Sequence, residues 1–446
     1  MFKYNLIKLY KATDRGDTTA MNILGDCYFY GNNGVEEDKE SAVKWYREAA
    51  ERGNPDAQNN LADCYSQGWG VEQNKERAAY WYREAAEHGH ASAQFSIGQC
   101  YFQGEGVEQD YRKAVEWFHR SAEKGNEDAQ RLLGLCYEKG KGVEADMTEA
   151  LKWFRKVVNQ DDVVAFHLGL CYYLGDGVDK NSVEAVKMFR VAAEMDNPDA
   201  QYYLGRCYYN GEGVERDMGI ALEWYGLAAE QGNTYAQFDL GVCYLFGRGV
   251  GQDRAKAVKW FREAAEQGDA SAQYNLAICY DKGEGVKQDY TEAVRWHREA
   301  AEQGCAEAQY HLGTYYDKGE GVKQDKAEAV KWYHKAAEQG NIDAQYNLFI
   351  CYYKGEGIST NKVEAVKWLR KAAEQGDMHA QYYLGICYDN GEVVEHNKAE
   401  ALKWYKKAAE KGLMEAKQKL GLCNKMITYV EQTKKKAIEW WYKITE

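Results

Sequence analysis

The sequence has little proline, no long apolar run and no excess of positive charge, and each absence excludes a class of protein. Only two of its 446 residues are proline, which favours long helices over proline-rich linkers. No run approaches the ~18 apolar residues of a membrane-spanning helix, so membrane insertion is not expected. The formal net charge is −13, whereas a nucleic-acid partner requires a basic face. We therefore expect neither a nucleic-acid-binding protein nor a membrane protein.

The N-terminus also lacks the features of a secretory signal. The segment MFKYNLIKLYKATDRGD has no sustained apolar core and no cleavage site of small residues. A cytoplasmic location is therefore expected, although export by a route without a cleavable leader stays open.

What the sequence does contain is a repeat. The ten residues YDKGEGVKQD occur from Tyr280 to Asp289 and again from Tyr316 to Asp325, 36 residues later. The longer pattern A-Q-x-x-L-G-x-C-Y-x-x-G-x-G-V-x-x-D occurs eleven times, which is typical of a repeat architecture. Taking the first residue of this pattern as repeat position 1, the copies begin at Ala20, Ala57, Ala93, Ala129, Val164, Ala200, Ala236, Ala272, Ala308, Ala344 and Ala380.

Each copy predicts two helices, which we name helix A and helix B. Helix A carries apolar or small residues at a helical spacing, as in Ala272, Leu276 and Cys279. Helix B has an inward stripe such as Ala293, Trp296 and Ala300, and a glycine ends it. The pattern predicts an all-α fold, an α/α superhelical right-handed solenoid of antiparallel helix pairs. Its parts are a capping helix at 1–16, eleven 36-residue repeats at 17–412 and a degenerate C-terminal capping repeat at 413–446.

The turn between the two helices has its own predicted chemistry. Gly283 and Gly285 are expected at positive φ, and Asp289 is expected to cap helix B by accepting from free backbone N–H groups. Asp or Asn occupies this cap position in all eleven copies. A glutamate three residues later predicts a capping box in several of them, at Glu149, Glu184, Glu292, Glu328, Glu364 and Glu400.

The full pattern A-x-x-x-L-G-x-x-Y-x-x-G-x-G-V-x-x-D-x-x-K-A-x-x-W-Y-x-x-A-A-E-x-G resembles the Sel-one-like repeat family, relatives of the tetratricopeptide repeats, over essentially the whole chain. Val393 replaces a turn glycine and Met188 replaces a helix B tryptophan, so local distortion is expected there. The resemblance implies a superhelix with a concave surface that binds other proteins, in a scaffold or adaptor role. It identifies no particular partner.

Cysteine occurs twelve times, and eleven of these residues share one repeat position. Equivalent atoms in neighbouring packed helices lie ~8–10 Å apart, whereas a disulfide requires Cα atoms within ~7 Å. We therefore expect buried thiols in a reducing compartment, with Cys305, which lies between repeats, as the exposed one.

The sequence does not support a phosphate loop, a calcium loop or a histidine metal site. The GEGV turn lacks the strand and the G-K-[ST] ending of a phosphate loop. As a calcium loop it would place Gly283 and Gly285 where oxygen ligands are required. His88 and His90 bracket a glycine, but they could hold a metal only with ligands from elsewhere. No cofactor and no metal are expected.

An enzymatic alternative follows from the resemblance. Some secreted, cysteine-rich relatives carry two bridged cysteines per repeat and are associated with penicillin binding and β-lactamase activity. Ser-x-x-Lys occurs at Ser41–Lys44, Ser121–Lys124 and Ser359–Lys362, without a K-T-G or K-S-G element. We expect no enzyme, and β-lactamase or penicillin-binding activity is the alternative.

Aromatic residues recur on helix A at positions 3 and 10, away from the predicted core stripe. Stacked helices would align them into an aromatic ladder, which suits peptide recognition, or they could wedge between helices to set the curvature. The candidate residues are Phe95, Phe102, Phe166, Tyr173, Tyr202, Tyr209, Phe238, Tyr274, Tyr310, Tyr346, Tyr353 and Tyr382. We predict a non-catalytic scaffold or adaptor that binds a protein or peptide on its concave helix A surface. The turn carboxylates Glu105, Glu212, Glu284 and Glu320 would favour a partner with basic segments.

Overall fold

The structure is a computed structural model that describes residues 6–445, without the side chains of 423–424, 426–430, 438–440 and 442–445. The chain divides into two compact units, Met1–Leu227 and Ala228–Glu446. Residues 6–445 form α-helices and no strand. The predicted all-α fold of paired helices is confirmed.

Unit 1 contains one leading helix and then helix pairs in which helix A comes first. Its helices are α1 (Leu6–Thr13), α2 (Thr18–Tyr30), α3 (Lys39–Glu51), α4 (Pro55–Gln67), α5 (Lys75–Glu87), α6 (Ala91–Gln103), α7 (Tyr111–Glu123), α8 (Glu127–Lys139), α9 (Met147–Val157), α10 (Asp162–Leu174), α11 (Ser182–Glu194), α12 (Pro198–Asn210) and α13 (Met218–Glu230), whose last residues belong to unit 2.

Unit 2 continues the same alternation of helix A and helix B and ends on one long helix. Its helices are α14 (Thr234–Phe246), α15 (Arg254–Glu266), α16 (Ala270–Lys282), α17 (Tyr290–Glu302), α18 (Ala306–Lys318), α19 (Lys326–Glu338), α20 (Ile342–Lys354), α21 (Lys362–Gln375), α22 (Met378–Asn390), α23 (Lys398–Glu410) and α24 (Met414–Thr445). The backbone of α24 runs without a break through MITYVEQT, so the C-terminal segment has no turn between two helices.

Each helix A packs on its helix B by placing a small residue opposite a large ring. A Cβ atom on Gly98 of α6 would lie 2.7 Å from Cδ1 of Phe118 on α7, and Phe118 is fully buried. Glycine or alanine holds this position in every pair except one. In the pair α20–α21 the sizes are exchanged, because Phe349 lies on helix A and Leu369 on helix B. Both of these side chains are buried in one core cluster.

Two predictions about the turn between helix A and helix B are confirmed, the positive φ of its glycines and the N-cap of helix B. Gly283 and Gly285 have φ of 68° and 75°. Asp289 accepts from the backbone N–H groups of Thr291 and Glu292, as expected of an N-cap. The same cap is present on the other helices B.

The predicted capping box was wrong. It requires the N-cap N–H as a donor, but Asp289 N donates to the Tyr280 carbonyl at 3.0 Å, so the Glu292 carboxylate has no such donor to accept from. Glu292 instead pairs with Arg295 at 3.2 Å. The other five glutamates make the same pairing one turn ahead, in Glu149–Lys152, Glu184–Lys187, Glu328–Lys331, Glu364–Lys367 and Glu400–Lys403.

Local distortion was expected at Met188 and Val393, and neither residue interrupts its repeat. Met188 lies within the regular helix α11, whose Phe189 is fully buried. Val393 keeps the turn by adopting a φ of 64°, which is unfavourable for a β-branched residue.

Side-chain caps also begin the helices A, and sequence reasoning missed them. Asp or Asn stands at this position in most copies, as at Asn341, whose side chain accepts from Ala344 N. At α18 the position is Cys305, with a similar backbone conformation but no side-chain cap hydrogen bond. The expected exposed thiol is therefore a half-buried residue at a helix N-cap.

Replacing Cys305 with asparagine is expected to raise the free energy of unfolding by about 1 kcal/mol, because it supplies the missing N-cap acceptor. The measurement is the urea midpoint by circular dichroism, with hydrogen exchange of the first turn of α18 as a local readout. Cys305→Ala is the control, because alanine also removes the thiol but cannot cap the helix. Equal midpoints for the two variants would contradict the assignment.

Candidate functional site

The candidate site is the helix A face, which we define as the side chains at positions 3, 4, 7, 10 and 11 of each helix A. The predicted aromatic residues at position 3 are half-buried, except for Tyr202, which is buried. Most of them pack on the ring of the helix B in the same pair. Their ring centroids lie 5.9 Å apart for Phe95–Phe118, 6.0 Å for Phe166–Phe189, 5.7 Å for Tyr202–Tyr225, 5.9 Å for Phe238–Phe261, 5.7 Å for Tyr274–His297, 6.1 Å for Tyr310–Tyr333 and 5.8 Å for Tyr382–Tyr405.

Some rings at position 3 also contact the next helix A. Phe166 lies 5.6 Å from Tyr203, and Tyr346 lies 6.3 Å from Tyr383. Tyr346 does not pack on a ring of its helix B, because Leu369 stands there; its ring centroid lies 5.8 Å from that of Phe349 on the same helix A. These rings contribute to packing between helices and leave part of their surface on the helix A face.

The second row, at position 10, is half-buried at Phe102, Tyr173, Tyr209 and Tyr353. The Tyr173 hydroxyl donates to Glu212 at 2.6 Å and the Tyr353 hydroxyl to Glu392 at 3.2 Å. Burial, with the hydrogen bond to Glu212, raises the pKa of Tyr173 to about 12, so this hydroxyl stays a donor at neutral pH.

The turn glutamates join consecutive repeats. Glu105 pairs with Lys75 of the preceding repeat at 2.9 Å, and Glu284 pairs with Arg254 at 3.4 Å. The remaining pairs of this kind within unit 2 are Lys326–Glu356 at 2.5 Å and Lys362–Glu392 at 2.6 Å. Glu320 lies 3.8 Å from Lys318. The carboxylates assigned to a basic partner are therefore already engaged within the chain.

Unit 2 has two further rows on its helix A face that sequence reasoning missed. Position 7 is half-buried and mostly apolar, at Val242, Ile278, Thr314, Ile350 and Ile386. Position 11 is an exposed lysine in three successive repeats, at Lys282, Lys318 and Lys354. Both rows repeat every 36 residues, so the signal was present in the same alignment that revealed the aromatic residues.

The exchanged pair α20–α21 adjoins a cleft on this face. The cleft lies between α20 and α22, has a volume of about 280 Å³ and is lined by Tyr346, Phe349, Ile350, Tyr353, Lys354, Tyr383, Ile386, Cys387, Asn390 and Glu392. Its walls are mostly aromatic and aliphatic, and its charged residues are Lys354 and Glu392.

Several residues of the alternative chemistries are used structurally, whereas Ser359 of the third Ser-x-x-Lys motif is exposed. Ser41 donates to the N-cap carboxylate of Asp38 at 2.6 Å, and the buried Ser121 donates to the Ala91 carbonyl at 2.8 Å. His90 Nδ1 accepts from Ala93 N at 3.1 Å. No cluster of metal-ligating side chains occurs among the residues that the structure describes.

The repeat cysteines are free thiols that are buried except for the half-buried Cys100; Cys423 lies outside the described side chains. Burial raises the pKa of the Cys64 thiol to about 12 and that of Cys279 to about 11, which keeps both protonated and unreactive. In the described part of the chain, no helix is both long enough and apolar enough to cross a bilayer.

Comparison with known proteins agrees with the repeat. The family described as Sel1 repeat matches residues 18–54, 55–90, 91–126, 127–162, 164–197, 198–233, 234–269, 270–305, 306–341, 342–377 and 379–413. No curated protein matches.

Among solved structures, the chain is similar to c5321, a protective antigen of uropathogenic Escherichia coli strains with an SLR fold, at 35% identity and a TM-score of 0.83 over 95% of this chain and 91% of that one. A Sel1 repeat protein from Oxalobacter formigenes is 36% identical, with a TM-score of 0.48 over 55% of this chain and 96% of that one. The eleven matched repeats cover most of the chain, which therefore belongs to the Sel1 repeat family.

Proposed function

We propose that this protein is a non-catalytic scaffold that binds a protein or peptide segment on its helix A face. Sel1 repeat proteins generally act as protein-interaction scaffolds. The observation that carries the proposal is the half-buried row Val242, Ile278, Ile350 and Ile386, which lies beside the aromatic residues of position 3. The row is interrupted only by Thr314 between Ile278 and Ile350, and apolar side chains that stay partly exposed in such a patch are typical of an interaction site.

The charge of the partner follows from which side chains are already paired. The turn glutamates that suggested a basic partner are in ion pairs or hydrogen bonds within the chain, so they give little support to that expectation. The lysines at position 11 are exposed. We therefore propose a partner segment that need not be basic.

No observation favours the enzymatic alternative. Ser41 and Ser121 bind a helix cap and a backbone carbonyl, and the buried thiols are protonated. The proposal places the protein in a reducing compartment, where such thiols persist.

The test is to change the apolar row without changing the fold. Ile278→Arg/Ile350→Arg places two charges on the helix A face, and Tyr290→Arg/Val363→Arg places two charges on exposed apolar positions of helices B. Proteins cross-linked to each variant are quantified by mass spectrometry, and circular dichroism confirms that both variants fold. The amount of protein cross-linked to the helix A variant is expected to fall about tenfold, since an apolar side chain of the partner cannot pack on a charge. Equal recovery with the two variants would overturn the proposal.

A further inference from the structure

We propose that the cleft between α20 and α22 receives one large apolar side chain of an acidic peptide, and that Lys354, Lys318 and Lys282 bind carboxylates of the same peptide. This inference rests on the proposed function and assigns the chemistry of the segment that the helix A face binds.

The walls of the cleft suit an apolar side chain. Phe349 lies 5.6 Å from Tyr353 and 5.8 Å from Tyr383, and Tyr346 lies 6.3 Å from Tyr383, measured between ring centroids. Tyr383 is more than one third exposed, so part of its side chain is open to an incoming group. A volume of about 280 Å³ accommodates one side chain of the size of leucine, phenylalanine or tryptophan.

The cleft lies where the chain departs from its own repeat. In most pairs the large ring is on helix B and glycine is on helix A, so the ring fills the space between the two helices. In α20–α21 the ring is Phe349 on helix A, and the smaller Leu369 lies on helix B. This exchange places the buried ring of Phe349 at the base of the cleft in repeat ten, where it meets Tyr353 and Tyr383. A matched site is not expected in repeats that carry glycine at this position.

The available charge at the rim is positive. Glu392 is paired with Lys362 at 2.6 Å and accepts from the Tyr353 hydroxyl. Lys354 is exposed and lies 3.7 Å from Glu356, whose other oxygen is bound by Lys326 at 2.5 Å. Because its carboxylate neighbour is shared with a closer cation, Lys354 can bind a carboxylate from outside the chain.

The lysine row sets the spacing of the acidic residues. Lys282, Lys318 and Lys354 hold the same repeat position on α16, α18 and α20. Lys318 lies 3.8 Å from Glu320, as Lys354 lies 3.7 Å from Glu356, so a peptide carboxylate exchanges with these long, exposed pairs. Consecutive helices A are neighbours, since Tyr274 of α16 lies 5.9 Å from His311 of α18; neighbouring helices lie ~8–10 Å apart, and an extended chain advances ~3.3 Å per residue. One repeat therefore corresponds to about three peptide residues. The peptide is expected to be extended, with an apolar anchor in the cleft and a carboxylate at about every third residue beyond it.

The test uses defined synthetic peptides. The probe is a fluorescein-labelled peptide with one tryptophan followed by glutamate at every third position and with glycine and serine elsewhere. A second probe has the reverse order, because the direction of the chain is tested at the same time. Fluorescence anisotropy is expected to show that one of the two binds about tenfold more tightly than matched peptides with glycine for tryptophan or glutamine for glutamate. Failure of both probes to exceed these controls would overturn the inference.

Two variants separate the anchor from the charge. Phe349→Gly/Leu369→Phe restores the common pair, keeps the core filled and removes the ring from the cleft, so affinity is expected to fall about tenfold. Lys282→Gln/Lys318→Gln/Lys354→Gln is expected to abolish the preference for glutamate over glutamine. The control is Lys331→Gln/Lys367→Gln/Lys403→Gln on helices B, which is expected to bind as the wild type does. Equal effects of the two lysine variants would count against the lysine row.

The outcomes also distinguish this inference from the proposed function. If neither probe binds while Ile278→Arg/Ile350→Arg abolishes capture of partners, the helix A face binds a segment of different chemistry and only this inference fails. If the probe binds in the cleft, but the same amount of protein is cross-linked to Ile278→Arg/Ile350→Arg as to the wild type, the proposed function fails.

Discussion

Replacing Gly106 with alanine is expected to lower the free energy of unfolding of unit 1 by about 2–5 kcal/mol. Gly106 has a φ of 70°, and a left-handed backbone costs a residue with a Cβ about 1–2 kcal/mol. The added Cβ would also lie 2.0 Å from the carbonyl oxygen of Lys75, the first residue of α5. The clash is with backbone, which cannot rotate away, so overpacking adds about 1–3 kcal/mol or more.

The matched control is Gly125→Ala. Gly125 has a φ of 86°, but a Cβ there would meet nothing within 4 Å. Alanine at this site is therefore expected to cost only about 1–2 kcal/mol, the price of the left-handed backbone alone. The difference in free energy of unfolding between the two variants measures how tightly the turn at Gly106 fits against Lys75 of the preceding repeat.

The measurement has to resolve parts of the chain, because repeat proteins do not always unfold in a single step. Urea unfolding followed by circular dichroism gives the overall loss, and hydrogen exchange shows whether α5, α6 and α7 lose protection together. Equal losses for Gly106→Ala and Gly125→Ala would show that the contact between the turn and α5 contributes nothing.

Features that depend on residues close in sequence could be predicted from the sequence, while contacts between elements could not. The positive φ of Gly283 and the N-cap Asp289 are properties of a few adjacent residues, and both predictions are confirmed. The capping box at Glu292 failed because the Asp289 N–H donates to Tyr280 on helix A. That hydrogen bond depends on how helix A and helix B pack together, and a motif of four residues carries no information about this packing.

Part of the candidate site could be predicted from the sequence, because its residues recur with the 36-residue period of the repeat. The aromatic rows were visible because they recur every 36 residues, and the lysine row at Lys282 was equally visible but was not identified. The pairing of Glu284 with Arg254 was not predictable in the same way, because it joins residues of neighbouring repeats whose geometry only the structure gives. The exchange of Phe349 and Leu369 left a signal, since the residue sizes at two positions changed together.

Acidification to pH 5 is expected to destabilise unit 2 through a buried histidine. His297 on α17 is fully buried. Its ring stacks on His311 of α18 at 5.0 Å with an interplanar angle of 12°, and it lies 5.7 Å from Tyr274 of α16 and 5.6 Å from Tyr315 of α18. Most other helices B carry phenylalanine or tyrosine at this position, so an ionisable ring replaces a core aromatic.

Burial, with the neighbouring His311, lowers the pKa of His297 from its ordinary value of 6.5 to about 3. A folded-state pKa below that of the unfolded chain means that stability is full above about pH 6.5 and is lost as the pH falls. The loss at pH 5 is about 2 kcal/mol, since the unfolded chain takes up the proton and the folded chain does not.

Carboxylates near the two stacked histidines oppose the lowering of the pKa of His311 but not that of His297. Burial, with the positive charge of Lys282, lowers the pKa of His311 on balance, and the negative charges of Asp281, Asp343 and Glu307 oppose this shift only in part. Asp281 also accepts from the Tyr315 hydroxyl at 2.5 Å, which ties this carboxylate to α18. His297 faces the rings of Tyr274, Tyr315 and His311, and Ala277 occupies the facing helix A position.

His297→Phe is expected to remove this pH dependence, because phenylalanine has the same ring role and binds no proton. Phenylalanine is fully buried at the equivalent position of the previous repeat, Phe261, where Asn275 and Cys279 stand in place of His311 and Tyr315. Alanine opposite an aromatic ring also occurs, at Ala62 and Tyr82. Urea midpoints at pH 7 and pH 5, with hydrogen exchange of α16, α17 and α18, make the measurement. The exposed His396→Gln is the control and is expected to keep the wild-type loss; the same loss in His297→Phe would assign the acid sensitivity to other groups.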